Sequence, residues 1–443
     1  MPDHEPFRFK NGEDLLKKAD ELGIELPFLT TLDPLFQTAQ IGSKTIPNRL
    51  AVQPMEGFDS NDDGSPSELT FRRYRRYAMG GSGLIWFEAT SISQEGRSNP
   101  HQLMLTKDTI SGFSELVKRT KQSAQDKFSN DHDPFLVIQI THSGRYSKPY
   151  GQLSGKIVST NPYLDIPEKN YTLFSDDEID KVKDIYIEAA GLVYEAGFDA
   201  VDIKACHGYL IHELLGAHTR KGKHGGSLEN RSRLLLEIVN EVHERYPELI
   251  IAVRLNATDG IPYPYGFGMA EDGSFDIDLT ETKRLIKELT KSGCSLLNYT
   301  AGIPYRNPHF VRPFNRPLIG LQPPDEHPLH GVERLINLTT ELHRDFPQVP
   351  VVGTGYSWLN RFFPNVGAAV LEKELATFIG LGRSSFAYPD APEDLMKKGS
   401  LDPGRVCIAC SRCTELMRKN HATGCAVRDR EIYAASYRKM VHG

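Results

Sequence analysis

Three side chains that can donate a proton or a hydrogen bond lie within one short segment of the sequence. Lys204, His207 and Tyr209 belong to the stretch KACHGY, directly after the apolar run DAVDI. The ammonium and imidazole groups could donate to a carbonyl oxygen or an oxyanion, and the phenol could protonate a neighbouring carbon. The alternative interpretation places Lys204 at the rim of the fold and makes His207 a hydrogen-bonded core histidine.

Four of the six cysteines lie close together near the end of the sequence, at Cys407, Cys410, Cys413 and Cys425. Thiols at intervals of three can occupy three corners of a [4Fe–4S] cluster while a more distant thiol closes the fourth. Four thiolates also satisfy tetrahedral zinc, and unligated structural thiols are a third interpretation. Such clustering favours metal over disulfides in a protein that is not secreted, and the cluster is the prediction we adopt.

Eight short apolar runs alternate with amphipathic segments such as 178–197 and 232–246, whose apolar residues recur at intervals of three and four. Runs of this kind are too apolar for a half-exposed sheet, so the pattern predicts an α/β fold, a parallel (β/α)₈ TIM barrel. A doubly wound sheet is the alternative, disfavoured because no G-x-G-x-x-G follows the first run. The runs span 49–55, 83–90, 134–140, 199–205, 249–255, 294–299, 350–355 and 376–383.

A barrel places its active site on the loops that follow the strands. Segment 256–278 follows the fifth run and segment 299–316 follows the sixth, and both have the loop composition expected there. We predict an N-terminal extension over 1–35 with one short helix at 15–24, the barrel over 36–398, and a cysteine-bearing segment over 399–443.

The composition of the chain excludes some classes of binding partner. The chain has 443 residues, 25% of them charged, with a formal net charge of −6, so it presents no broad cationic surface for nucleic acid or anionic lipid. No apolar run approaches the roughly 18 residues of a membrane span, and the first thirty residues are too charged for a signal peptide. We therefore expect a cytoplasmic protein with a small-molecule ligand. Whether the chain forms a homo-oligomer stays open.

The segment AGFDAVDIKACHGYLIHELLGAHTRKGKHGGSLENRSRLLLEIV (196–239) resembles the Old Yellow Enzyme family of FMN-dependent oxidoreductases in its HGYL and GGSLENR motifs. The resemblance extends in order over roughly 40–430, and the family fold is the same barrel. We interpret GGSLENR as structural, with Ser227 as the N-cap of a helix. The further matches are IPNRLAVQPM (46–55), FEAT (87–90), IQITHSGR (138–145), VRLNATD (253–259) and IGLGRSSFAYPD (379–390).

The resemblance implies bound FMN and assigns residues to parts of it. Pro54, Met55 and Ala89 would contact the flavin ring, Gln139 its pyrimidine edge, and Arg254 the region near N1, where a positive charge favours the anionic reduced ring. The phosphate would bind at glycines and an arginine after the last two strands, where barrels of this kind hold phosphate. These are Gly353, Gly355, Gly382 and Arg383.

Two residues depart from the family pattern. Lys204 occupies a position that is His in most members, although an ammonium group can also donate to an oxyanion. Glu56 replaces a small residue beside the flavin edge. Its carboxylate would lower the redox potential of the flavin, or pair with a basic substrate or with Lys204; the alternative is an ion pair with a nearby arginine.

The resemblance implies an ene-reductase that takes hydride from NAD(P)H and delivers it to an α,β-unsaturated carbonyl compound. Lys204 and His207 would polarise the carbonyl and Tyr209 would protonate the α-carbon. The alternatives are an amine dehydrogenase or demethylase whose cluster passes electrons onward, and a flavin-binding protein without turnover. NADH or NADPH as donor, and the substrate itself, stay open.

The cysteine spacing is similar to that of the iron–sulfur 2,4-dienoyl-CoA reductase and trimethylamine dehydrogenase group of the same superfamily, with a difference of one residue within or after the triplet. We expect this chain to lack the FAD- and pyridine-nucleotide-binding portion that follows in those enzymes.

Overall fold

The structure, a computed structural model, describes residues 4–129 and 132–442. Eight parallel strands pair in a closed barrel, which confirms the predicted (β/α)₈ class. An antiparallel hairpin of β1 (Ala39–Ile41) and β2 (Lys44–Ile46) precedes them. The barrel strands are β3 (Leu50–Val52), β4 (Leu84–Ser91), β5 (Phe135–Thr141), β6 (Ala200–Ile203), β7 (Ile250–Asn256), β8 (Cys294–Thr300), β9 (Val351–Gly353) and β10 (Phe378–Leu381).

Each strand lies within one of the eight predicted runs or overlaps it, and β10 closes the barrel by pairing with both β3 and β9. Inward side chains of the barrel form one buried cluster with Ile41 and Ile46 of the hairpin, including Trp86, Phe135 and Phe378. The hairpin therefore covers the amino-terminal end of the barrel, and the carboxyl ends of the strands are left for a ligand.

The helices follow the strands as the amphipathic pattern predicts. Ser175 caps α4 with a capping box, so this helix begins two residues before the predicted 178, and the Ser227 hydroxyl accepts a hydrogen bond from Asn230 N as predicted for α6. The first helices are α1 (Gly12–Glu21), α2 (Glu68–Met79), α3 (Ile110–Phe128), α4 (Asp176–Glu195), α5 (Leu210–Leu215), α6 (Leu228–Arg245) and α7 (Thr280–Lys291).

The remaining helices are α8 (Pro308–Val311), α9 (Pro328–Asp345), α10 (Phe363–Glu372), α11 (Arg383–Ala387), α12 (Ala391–Lys398), α13 (Arg412–Arg418) and α14 (Arg430–His442). The last two lie in the cysteine-bearing segment. Asp429 between them forms ion pairs with Arg72 and Arg76 of α2, and Glu415 of α13 pairs with Arg316 in the loop after β8. These contacts hold the segment over the carboxyl ends of the strands.

The predicted N-terminal helix at 15–24 lies three residues earlier, at Gly12–Glu21, because the Asn11 side chain accepts from Asp14 N and so caps it there. Leu15 and Ala19 of this helix belong to the main hydrophobic core. The proposed boundaries after residues 35 and 398 stay predictions. In the part of the chain that the structure describes, no helix has both the length and the apolar composition needed to cross a membrane.

Candidate active site

A cavity of about 1200 Å³, measured with the solvent at its mouth, lies at the carboxyl ends of the barrel strands. It brings together residues from widely separated parts of the sequence, as the barrel geometry requires. The predicted residues that line it are Pro54, Met55, Glu56, Lys204, His207, Tyr209, Arg254, Gly355, Gly382 and Arg383.

The three predicted catalytic side chains meet on one wall of the cavity. Lys204 Nζ lies 3.8 Å from the centroid of the Tyr209 ring, and the Tyr209 hydroxyl donates to the Glu56 carboxylate at 3.4 and 3.5 Å. Burial and the Glu56 charge hold the pKa of Tyr209 well above its usual value, so the phenol keeps its proton. Burial lowers the pKa of Lys204, and the nearby Glu56 opposes that effect.

His207 has a left-handed backbone conformation, with φ of +65°, which is uncommon for a residue with a side chain. Its amide donates to Asn256 Oδ1 at 3.3 Å, and Nε2 lies 3.3 Å from the Thr300 hydroxyl. The next residue, Gly208, is also left-handed, and a Cβ there would lie 2.8 Å from the Tyr146 ring. Burial, Arg254 and Lys204 hold the pKa of His207 well below its usual value, so the imidazole is neutral near pH 7.

Glu56 is held by neutral donors and not by an arginine, so the predicted alternative of an arginine pair is wrong. Gln102 Nε2 donates to Oε1 at 3.0 Å and the Ser98 hydroxyl at 3.3 Å, in addition to Tyr209. Burial is the largest influence on this carboxyl group and raises its pKa, whereas the Lys204 charge lowers it. The adjacent Gly57 amide donates to Glu88 at 2.6 Å, which fixes the loop that carries Glu56.

Arg254 lines the cavity, whereas Gln139 does not. Gln139 Nε2 donates to Asp202 Oδ2 at 2.5 Å, and the other oxygen of Asp202 accepts from Arg254 N at 2.7 Å. Asp202 also accepts from Trp86 Nε1 at 2.8 Å. The Gln139 amide, which we predicted to contact the pyrimidine edge of the flavin, therefore donates to a carboxylate inside the barrel. Gln53, directly after β3, lines the cavity and exchanges hydrogen bonds with the Asn298 amide.

Two further predicted contacts lie behind the cavity wall. Ala89 is buried and its carbonyl accepts from Gln102 Nε2 at 2.9 Å, and the Gly353 carbonyl faces Gln53 Nε2 at 3.4 Å. In place of Gly353, the next residue Thr354 lines the cavity beside Gly355. The prediction was therefore displaced by about one residue at the end of β9.

The cavity contains buried cations that a bound anion would stabilise. Arg254, Arg312 and Arg383 line it, and none of them pairs with a carboxylate within 4 Å in the described ranges. Arg254 Nε, both terminal nitrogens of Arg312 and Arg383 Nη1 are buried without a hydrogen-bond partner. Burial and the neighbouring Arg383 lower the pKa of Arg312 to about 9. Because unpaired buried charge is costly, a phosphate and an anionic ring, the two parts of reduced FMN, fit this donor set.

Sequence reasoning missed several residues of the cavity. Arg312 lies in segment 299–316, which we identified as an active-site loop, but no spacing distinguished it from Arg306 or Arg316. Lys148 follows β5, and Arg418 comes from α13, so the cysteine-bearing segment supplies part of the cavity wall. Nothing in the sequence shows that α13 reaches back over the barrel.

The four clustered cysteines line a second, smaller cavity of about 360 Å³, together with Arg383, which lines both cavities. None of them forms a disulfide. Within residues 4–129 and 132–442, no three His, Cys, Asp or Glu side chains are grouped so that they could hold a metal ion. The thiols of Cys407, Cys410, Cys413 and Cys425 thus share a cavity, but the predicted iron–sulfur cluster and its zinc alternative are not supported, and we derive no step through them.

Comparison with known proteins identifies the family of this chain. The sequence model of the NADH:flavin oxidoreductase / NADH oxidase family matches residues 34–294. The chain is 26% identical over 393 residues to an NADH oxidase from Thermoanaerobacter brockii, covering 86% of this chain and 54% of that protein. It is 30% identical over 272 residues to an NADPH dehydrogenase from Halalkalibacterium halodurans, covering 60% of this chain and 73% of that protein.

Among solved structures, a 2-naphthoyl-CoA reductase in complex with 2-naphthoyl-CoA has a TM-score of 0.72 and 20% identity, covering 90% of this chain and 57% of that one. At this identity the likeness concerns the fold. The chain spans little more than half the length of that reductase and of the NADH oxidase.

Proposed function

This chain belongs to the NADH:flavin oxidoreductase / NADH oxidase family, and we propose that it is an FMN-dependent ene-reductase that uses NAD(P)H to reduce the C=C bond of an α,β-unsaturated carbonyl compound. One observation carries the proposal. A neutral imidazole, a lysine and a protonated phenol, on His207, Lys204 and Tyr209, converge in the cavity whose buried arginines fit FMN.

Bound FMN would accept a hydride from NAD(P)H and supply it to the β-carbon of the substrate. Arg254 would lie at the flavin ring, and Arg383, with Arg312 and the glycines at 355 and 382, would hold the phosphate. Each of these guanidinium groups has at least one buried nitrogen atom to which a bound anion would supply a hydrogen-bond acceptor. The residues on the opposite side of the barrel are then free to handle the substrate.

Hydride addition to the β-carbon moves the π electrons of the C=C bond toward the carbonyl oxygen. Lys204 and His207 donate hydrogen bonds to that oxygen and stabilise the negative charge that develops on it. Tyr209 then gives its phenolic proton to the α-carbon, which completes reduction of the double bond. The reaction consumes one NAD(P)H and one proton for each C=C bond.

Glu56 restores the proton that Tyr209 gives away. Its carboxyl oxygens lie 3.4 and 3.5 Å from the Tyr209 hydroxyl, and burial raises its pKa, so a protonated Glu56 can return a proton to the phenolate. Gln102 and Ser98 keep the carboxyl group in place in either protonation state. Glu56 lines the cavity that would hold FMN, so its predicted contact with the flavin edge stays a prediction beside this role.

The test is NAD(P)H oxidation without oxygen, with cyclohexenone as acceptor, beside the same protein with oxygen alone. We expect the enone to support turnover and to yield the saturated ketone. A primary or tertiary amine in place of NAD(P)H is the control for a dehydrogenase that oxidises C–N bonds. Flavin reduction by the amine with no turnover of the enone would contradict the proposal, and so would protein that binds no FMN.

A further inference from the structure

Two half-buried cations that line the cavity have no role in the chemistry described above. Lys148 follows β5, and Arg418 ends α13 on the cysteine-bearing segment. Both line the same cavity as Tyr209, and within the described ranges neither forms an ion pair with a carboxylate within 4 Å. The carboxylate that does line the cavity, on Glu56, is already held by Tyr209, Gln102 and Ser98.

The position of Lys148 separates this side chain from the predicted phosphate site. In the strand order β10-β3-β4-β5-β6-β7-β8-β9, β5 lies diametrically across the barrel from β9, which precedes Gly355. Lys148 therefore lies on the far side of the cavity from Gly355, Gly382 and Arg383. An FMN phosphate held at those residues leaves Lys148 without an anion.

Aromatic stacking holds Arg418 near the catalytic wall. Its guanidinium lies 5.8 Å from the Tyr305 ring centroid, and the Tyr305 ring stacks on Tyr146 at 3.9 Å. Tyr146 in turn lies 6.3 Å from Tyr209, between ring centroids. Arg418 Nη2 donates to the Pro304 carbonyl at 2.5 Å, so the side chain is fixed while the rest of its donors stay available.

The two cations line the same cavity, and the charge of one acts on the pKa of the other. Burial lowers the pKa of Lys148, and the Arg418 charge lowers it further, with no carboxylate among the described residues to oppose either effect. Burial likewise lowers the pKa of Arg418, which only the neutral phenols of Tyr305 and Tyr146 oppose. Two like charges that share a partly buried site are stabilised by an anion bound between them.

We propose that Lys148 and Arg418 form an anion subsite that selects enones carrying a carboxylate, with the carboxylate bound at these two cations while the carbonyl lies at Lys204 and His207. This inference rests on the proposed ene-reductase function and adds the substrate class. A phosphate on the nicotinamide donor is the other source of an anion at this position, and the experiment separates the two.

The probe pair is 4-oxopent-2-enoate and its methyl ester, which differ in one negative charge. The measured quantity is the ratio of kcat/KM for the acid to that for the ester, compared between each variant and the unmodified protein, so that the different reactivities of the two alkenes cancel. We expect Lys148→Met to lower this ratio roughly tenfold, because a charge-assisted hydrogen bond is lost. Lys148→Arg should keep most of the ratio.

Lys169→Met is the matched control. Lys169 lies in the same loop after β5 and is half-buried like Lys148, but it does not line the cavity. Its substitution should leave the ratio unchanged. The effect of Lys148→Met should also shrink at high salt, since partly exposed charges are screened.

Binding without turnover keeps this inference separate from the proposed function. Calorimetric titration of the FMN-loaded protein with 4-oxopentanoate, the saturated acid, should give a Kd that rises roughly tenfold in Lys148→Met. That result would stand even if no enone were reduced. An acid-to-ester ratio and a Kd that are both unchanged in Lys148→Met would overturn the subsite. A loss confined to NADPH, with NADH and both probes unaffected, would assign the cations to the nicotinamide donor and also overturn it.

Discussion

The two cavities that meet at Arg383 differ in how their residues are assembled. The larger one collects side chains from the ends of β3, β6, β7 and β10 and from distant loops, and its buried arginines have nitrogen atoms without partners. The smaller one takes all four of its cysteines from one short segment. The dispersed site fits the cofactor predicted for it, whereas the described residues of the compact motif are not grouped as the predicted metal site requires. Order along a barrel is thus a stronger predictor than local spacing, because closure of the sheet fixes where each strand ends.

The largest expected effect at the dispersed site is that of Tyr209→Phe. Removing the phenolic proton should slow reoxidation of the reduced protein by enone about 10²- to 10⁴-fold, the range for a general acid. Reduction by NAD(P)H should change little, because Tyr209 contacts Glu56 and Lys204 and acts only on the enone. Anaerobic stopped-flow absorbance of the flavin resolves the two steps. Equal slowing of both steps would make Tyr209 a packing residue.

Lys204→Met should have the next largest effect. It keeps most of the stem but removes the charge, and loss of an oxyanion contact worth about 2 kcal/mol corresponds to about thirtyfold in kcat/KM for the enone. Lys204→His should recover part of the activity, since an imidazole can also donate to the oxygen. If Lys204→Met retained full turnover, His207 alone would polarise the carbonyl.

Glu56→Gln should produce a smaller loss, about tenfold, together with a change in pH dependence. Burial raises the pKa of Glu56, so its proton persists to higher pH than that of a free carboxyl group. Enone reduction should therefore be fast below this raised pKa and slow down as the pH rises through it. In Glu56→Gln the profile should be flat over that window. A wild-type rate that rises with pH there would contradict the proton-return role.

At the compact site the expected effect on flavin is the smallest. Cys410→Ala should leave FMN content unchanged, because this thiol lines the second cavity and not the first. Burial raises the pKa of Cys407 to about 12 and that of Cys425 to about 11, so these thiols should react slowly with disulfide reagents in the native protein and quickly after unfolding.

The content of iron and acid-labile sulfide in anaerobically prepared protein tests whether the four cysteines hold a cluster. Values near four per chain, lost in Cys410→Ala, would restore the prediction made from the cysteine spacing. Values near zero, with free thiols, would leave the four cysteines as packing residues of the segment that supplies Arg418 to the cavity.

The sequence predicted the barrel because the alternation of apolar runs and amphipathic helices is a local property of the chain. It also predicted that Lys204, His207 and Tyr209 lie at the carboxyl end of a strand, where they line the cavity, and their catalytic roles stay predictions. It could not predict that the Gln139 amide would donate a hydrogen bond to Asp202, because this contact depends on the register of two neighbouring strands. Nor could it predict Arg418, whose position depends on how α13 packs against the loop after β8.

The most direct test of hydride delivery to the β-carbon is the position of a deuterium label in the reduced product. Enone reduction with NAD(P)H that carries deuterium at its transferable position, in ordinary water, should give a product with one deuterium on the β-carbon and an ordinary proton on the α-carbon. In deuterated water with unlabelled NAD(P)H, the label should move to the α-carbon, the position that Tyr209 protonates. Deuterium from the nicotinamide on the α-carbon, or absent from the product, would contradict hydride delivery to the β-carbon in this cavity.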